Sequence, residues 1–91
     1  MECSGVVVKS NSDKFKVGDK VVALPSVADQ GSYAQYVNVN DSNVAIKPDQ
    51  VDFKVAAALS IGAFTIDNAF TTSKLKSGQK ILILGSSGGN F

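Results

Sequence analysis

Histidine is absent from the 91 residues and cysteine occurs once. The first absence excludes a histidine-based metal site, a Ser-His-Asp triad and a Cys-His pair from this stretch. The second excludes an internal disulfide and fits an intracellular, cytoplasmic setting. Charge of one sign is also lacking, since 9 basic residues face 8 acidic ones for a net charge of +1. That balance gives no support to a nucleic-acid or anionic-membrane partner, both of which need clustered cations. The nine lysines are scattered and read as a solvated surface. Long hydrophobic runs are missing as well: Val55 to Ile61 falls far short of the ~20 apolar residues that cross a bilayer. No secretory signal precedes the first strand-like run, which bears on targeting only if Met1 is the native start.

Two textures follow one another along the chain. Up to about Lys47, short runs rich in Val and Tyr are divided by Gly, Asp, Asn and Pro, a β-like pattern. It predicts strands at Cys3 to Lys9, Lys20 to Leu24, Ser32 to Val39 and Val44 to Ile46. Gly18-Asp19 makes a tight turn, Pro25 to Gly31 is a polar loop, and Lys47-Pro48 ends the last strand. From Asp52 the pattern turns helical. Asp52 caps a helix over Phe53 to Leu59, Gly62 interrupts it, and a second helical stretch, about Ala63 to Thr72, puts Ile66, Ala69 and Phe70 on one face. After a Ser77-Gly78 turn, Lys80 to Leu84 (KILIL) suits a strand buried on both faces. It leads directly into Gly85-Ser86-Ser87-Gly88-Gly89. No internal repeat stands out. A buried parallel strand needs a crossover and flanking strands to cover it. Their absence marks the chain as a fragment and predicts that alone it is marginally stable.

Each site-like feature has two readings. A strand ending in close glycines and opening a helix offers backbone N–H groups and a helix dipole to a pyrophosphate. The same residues also suit a flexible Gly-Ser tail. The spacing Gly85-x-x-Gly88-Gly89 matches neither GxGxxG nor the P-loop, and the third glycine of GxxGxxG falls on Phe91. Tyr33 and Tyr36, three apart in a strand, point to opposite faces and have no partner that would make either catalytic. Cys3 reads as a small buried apolar group. Asp13, Asp19, Asp29, Asp41 and Asp49 read as turn residues. By itself Thr65 reads as a hydroxyl satisfying nearby backbone.

Taken in order, the segments resemble one family. Glu2-Cys3-Ser4-Gly5-Val6-Val7 is similar to the strand carrying the Gly-His-Glu…Gly-x-Val signature of medium-chain dehydrogenases/reductases. Phe15 to Leu24 resembles their Gly-Asp-x-Val hairpin, and Gly31 to Val39 their Gly-x-Tyr-Ala-x-Tyr strand. Ala56 to Phe70 resembles their domain-junction helix, and Leu75 to Gly89 their approach to the cofactor. The resemblance implies a mixed α and β fold. Residues 1–60 would be the later part of a GroES-like, partly open β-barrel; residues 61–91 would be the first helix, strand and glycine turn of a Rossmann domain. Thr65 would face the nicotinamide side of a cleft, Gly85 would form the turn, and Ser86, Ser87, Gly88 and Gly89 would approach the pyrophosphate.

The branch follows from what is missing. Met1 stands where zinc-dependent relatives have a histidine, and the interval from Leu24 to Tyr33 carries no cysteine lobe. The resemblance is therefore to the zinc-independent, quinone-reductase-like members, with no metal ligand and no residue here cast as catalytic. It implies hydride transfer from NADPH, or NADH, to a quinone or α,β-unsaturated carbonyl, and a parent homodimer with no nucleic-acid or membrane partner. The isolated 91 residues would be inactive. Two other readings stay open: a non-catalytic β-barrel interaction module or degenerate relic of such an enzyme, and a small stand-alone anion-binding domain using Gly85 to Gly89.

Overall fold

A computed structural model describes residues 2–28 and 31–89. The order of elements is β1 (Cys3–Val6), β2 (Lys20–Ala23), a 3₁₀ turn (Asp41–Asn43), β3 (Val44–Ile46) and α1 (Phe53–Ser73). The chain divides into two compact units, Met1–Ser60 and Ile61–Phe91.

The first unit is built on an antiparallel sheet in the order β1-β2-β3. Its hairpin begins with a four-residue turn. Asp19 N–H donates to Lys16 O (3.1 Å), and the Asp19 carboxylate accepts from Lys16 N–H (2.9 Å). Gly18 sits at φ +97, a left-handed conformation in which a β-carbon is disfavoured. The turn sets the register Cys3↔Ala23, Gly5↔Val21. β3 adds on the other side of β2, with Val21↔Ile46 and Ala23↔Val44. Opposed residues share a face, so Cys3, Ala23 and Val44 lie on one side with Gly5, Val21 and Ile46. Ser4, Val22 and Ala45 lie on the other, where Ser4 Oγ–H donates to Phe53 O, 49 residues away. Ser12 Oγ–H donates to Asp41 Oδ2 at 2.6 Å and ties a further long-range pair.

The core is small. Among the described residues, Ala23 and Ala56 are the buried hydrophobics of the alanine-and-larger aliphatic class, and Lys47 is buried with them at 5 % exposure. Lys47 corrects the reading of the lysines as a uniformly solvated surface. Its ammonium donates to Pro48 O (2.8 Å) and Val51 O and lies 4.9 Å from the centre of the Phe53 ring. Three donors on a flexible stem suit that cluster of carbonyls, and the ring face adds attraction.

α1 starts as expected. Asp52 Oδ1 accepts from Lys54 N–H (2.8 Å), and Asp52 O accepts the first helical bond from Ala56 (2.8 Å). It then runs unbroken through Gly62 for 21 residues, which corrects the expected interruption. One helical glycine costs about 1 kcal/mol, and the cooperativity of an alanine-rich helix carries past it. By length and composition alone, a helix of this kind could cross a membrane, a test that core helices of soluble proteins also pass.

Two expected strands do not form. Among the described residues, Ser32 to Val39 forms bends at Tyr33 to Gln35 and no ladder, and Lys80 to Leu84 is likewise outside any sheet. Tyr33 and Tyr36 accordingly do not flank a strand; both side chains are exposed. The reason is common to both segments: strand propensity measures how well a side chain fits a pleated surface, and neither has a neighbouring strand to supply one.

Candidate functional site

In the second unit, α1 ends in a defined cap. Lys74 adopts φ +54 beyond Ser73. Leu75 N–H donates to Phe70 O (3.2 Å) and Lys74 N–H to Thr71 O (3.2 Å), the paired bonds of a Schellman ending. A second four-residue turn follows: Gln79 N–H donates to Lys76 O (3.2 Å), Gln79 Oε1 accepts from Lys76 N–H (2.8 Å), and Gly78 has φ +87. These two features stop the helix and redirect the chain into Lys80 to Leu84, whose Leu82 is 83 % exposed. The expected double burial is thus not reached among the described residues.

The glycine turn stands at the end of that run. Gly85 is at φ +81, and Gly88 N–H donates to Gly85 O at 3.1 Å. Neither Gly85 nor Gly89 has any heavy atom within 4 Å of where a β-carbon would be. The space beside the backbone is therefore open. The hydroxyls of Ser86 and Ser87 carry no hydrogen bond within the described residues, and all five residues from Gly85 to Gly89 are exposed. Unclaimed backbone N–H groups and two hydroxyls beside open space form a donor set suited to an anionic oxygen cluster. The expected entry into a helix, at Asn90 and Phe91, lies outside the described residues.

Thr65 sits in the middle of α1 and is exposed. Its hydroxyl makes no hydrogen bond to nearby backbone, unlike Ser60, whose Oγ–H donates to Ala56 O at 2.6 Å on the same helix. No hydrogen bond joins Thr65 to the glycine turn among the described residues, so the two expected parts of the site are not brought together by direct bonding. Met1 and Asp29 also lie outside the described residues.

Elsewhere, Cys3 is half-buried, with Sγ 3.8 Å from Ala23 O. Burial pushes its thiol pKa up, the opposite of what an activated nucleophile needs. Among the described residues, no cluster of three or more His, Cys, Asp or Glu side chains could hold a metal ion. Two features escaped sequence reasoning. One is the buried Lys47, which nothing in Ala45-Ile46-Lys47-Pro48 distinguishes from a surface lysine. The other is a broad groove in the first unit, lined by β1, by the sheet face of Val21 and Ala23, and by Ser32 to Asp41. Unpaired strand-like sequence opposite an edge strand was the available signal for it.

Comparison with known proteins finds similar sequences over nearly the whole chain. The chain is 36% identical over 91 residues to human quinone oxidoreductase, covering 97% of this chain and 27% of that protein. It is 34% identical over 96 residues to the chloroplastic NADPH-dependent alkenal/one oxidoreductase of Arabidopsis thaliana, covering 97% of this chain and 25% of that protein. It is 36% identical over 96 residues to the 2-methylene-furan-3-one reductase of Solanum lycopersicum, with the same coverages of 97% and 25%. No family model matches, and no solved structure matches. The chain thus spans about a quarter of the length of these curated relatives. Over that span its sequence resembles these quinone and alkenal/one oxidoreductases.

Proposed function

We propose that these residues form the junction segment of an NAD(P)H-dependent oxidoreductase that reduces a quinone or an α,β-unsaturated carbonyl without zinc. The observation that carries this reading is the likeness of 97% of the chain to oxidoreductases named for those acceptors and that cofactor. Residues 1–60 are assigned to the later part of a GroES-like barrel, and residues 61–91 to the start of a Rossmann domain.

A bound nicotinamide would supply the hydride; the chain's own part is to hold and orient it. The donor set at Gly85 to Gly89 fits a pyrophosphate: the open space beside Gly85 and Gly89 admits close approach, and the Ser86 and Ser87 hydroxyls are unclaimed. Thr65 is assigned to the nicotinamide side, where its free hydroxyl would hydrogen-bond the ring substituent. No residue here is cast as acid, base or nucleophile. The work asked of the protein is proximity and water exclusion, which alone can lower a bimolecular barrier by about 7–11 kcal/mol. The parent would be a cytoplasmic homodimer acting on small molecules, with no nucleic-acid or membrane partner, and the 91 residues alone would be inactive.

The test starts from the native polypeptide recovered from its source with an antibody to this segment. A mass several-fold above 9.5 kDa, with NADPH-dependent reduction of a quinone or enone that is lost in Gly88→Val, is the expected result. A native mass near 9.5 kDa without NADPH binding overturns it and favours the non-catalytic module.

A further inference from the structure

The first residue of α1 is held by two side chains from different strands of the sheet. The register Ser4↔Val22 and Val22↔Ala45 puts those three side chains on one face. Lys47 lies two residues beyond Ala45, and its N–H donates to Lys20 O (2.8 Å), which carries the pairing past the end of β3. Side chains alternate along extended backbone, so Lys47 shares the face of Ser4. One stands on β1 and the other just beyond β3, two strand spacings or about 10 Å across the sheet. Both reach Phe53. Ser4 Oγ–H donates to its carbonyl, and the Lys47 ammonium lies 4.9 Å from the centre of its ring. That ammonium also donates to Pro48 O (2.8 Å) and Val51 O, the ends of a turn closed by Val51 N–H to Pro48 O (3.1 Å).

The two contacts fix different things. A helical carbonyl points along the axis, whereas the side chain projects from it radially. Holding the Phe53 carbonyl therefore sets the height of the helix, and holding its ring sets the rotation about the axis. α1 is unbroken from Phe53 to Ser73, so Thr65, twelve residues on, inherits both settings. At a side-chain radius of about 5–6 Å, a rotation of about 10° moves the tip of a side chain by about 1 Å. A misplacement of about 1 Å, even one caused far from the chemistry, can slow a reaction roughly 100-fold.

We propose that Ser4 and Lys47 are positioning residues for hydride transfer: together they set the height and rotation of α1, and through it the place of the Thr65 hydroxyl. This inference rests on the oxidoreductase reading, in which Thr65 is assigned to the nicotinamide. Neither residue touches cofactor or substrate. Their effect therefore falls on the rate of transfer, while the affinity for the cofactor's pyrophosphate stays with the glycine turn.

The test follows single turnovers of the full native polypeptide, where loss of NADPH absorbance on mixing with a quinone gives the transfer rate. The amplitude of that loss counts folded enzyme, whereas its rate reports geometry. Ser4→Ala and Lys47→Met should each slow transfer by roughly tenfold or more and leave the NADPH dissociation constant within about twofold. Ser4→Thr keeps the hydroxyl and should restore the rate. Gly18→Ala strains the same sheet away from both residues, so it should lower the unfolding midpoint and leave the rate unchanged. If Lys47→Met does not fold, Ser4→Ala decides the matter alone. A wild-type rate in Ser4→Ala, a fall in amplitude without a fall in rate, or equal slowing by Gly18→Ala overturns the proposal. A wild type that oxidises no NADPH overturns the oxidoreductase reading and this inference with it. An active wild type with unaffected variants overturns this inference alone.

Discussion

The chain builds one turn twice. Lys16-Val17-Gly18-Asp19 and Lys76-Ser77-Gly78-Gln79 share the backbone bond from fourth residue to first, the side chain of the fourth accepting from the first N–H, and a left-handed glycine at the third. Each turn feeds an apolar run, Lys20 to Leu24 in one unit and Lys80 to Leu84 in the other. The first becomes β2, paired on both sides, with Ala23 buried. Among the described residues the second pairs with nothing and leaves Leu82 and Leu84 more than four-fifths exposed, at 83% and 81%. Local chemistry is nearly the same, so the difference lies in the neighbours. An antiparallel hairpin finds its partner a few residues away, whereas a strand of parallel type waits for partners separated from it by whole crossovers.

Five substitutions and one titration probe that contrast, from the largest expected effect to the smallest. Lys47→Ala leaves Pro48 O and Val51 O without their buried donor, and unfolding by denaturant should show a loss of about 1–3 kcal/mol in the first unit. Gly18→Ala and Gly78→Ala impose the same left-handed strain of roughly 1–2 kcal/mol. Nothing lies within 4 Å of either β-carbon position, so sterics do not differ between them. The first should lower the unfolding midpoint of the sheet, and the second should leave that midpoint where it is. If both shift it equally, the two regions are not independent.

Asp52→Ala removes the cap of α1 and should cost about 1 kcal/mol, read as lost helical dichroism on heating. Leu82→Ser should change stability by less than about 0.5 kcal/mol, the range of an exposed site. A loss of about 2–5 kcal/mol, typical of a truncated core leucine, would show that the run is covered in solution. Finally, the raised pKa of Cys3 predicts that its alkylation by iodoacetamide gains rate only above the pH range where a free thiol does. The neutral thiol favours the folded state below the unfolded pKa, and that contribution fades as pH rises through the folded one.

Elements whose causes are local were legible in the sequence. Gly18-Asp19 before Lys20, Val44 to Ile46 before Lys47-Pro48, and Asp52 before an alanine run all name their own structure within a few residues. Ser32 to Val39 and Lys80 to Leu84 were misread because composition states what a segment prefers and says nothing about who stands beside it. Gly62 was given the weight of a breaker when its penalty is spread over a long helix. The glycine turn was visible from its spacing, and Gly85 has the left-handed backbone that such a turn requires. Thr65 is named by resemblance alone, since a threonine in mid-helix carries no local mark.

Lys47 has a practical consequence. Of the nine lysines, eight have exposed side chains and Lys47 alone is buried. A lysine-directed acylating reagent would label the eight at once, and Lys47 only when the connection between β3 and α1 opens. The lag between the two, followed by mass spectrometry, times the local opening of that connection without any engineered probe.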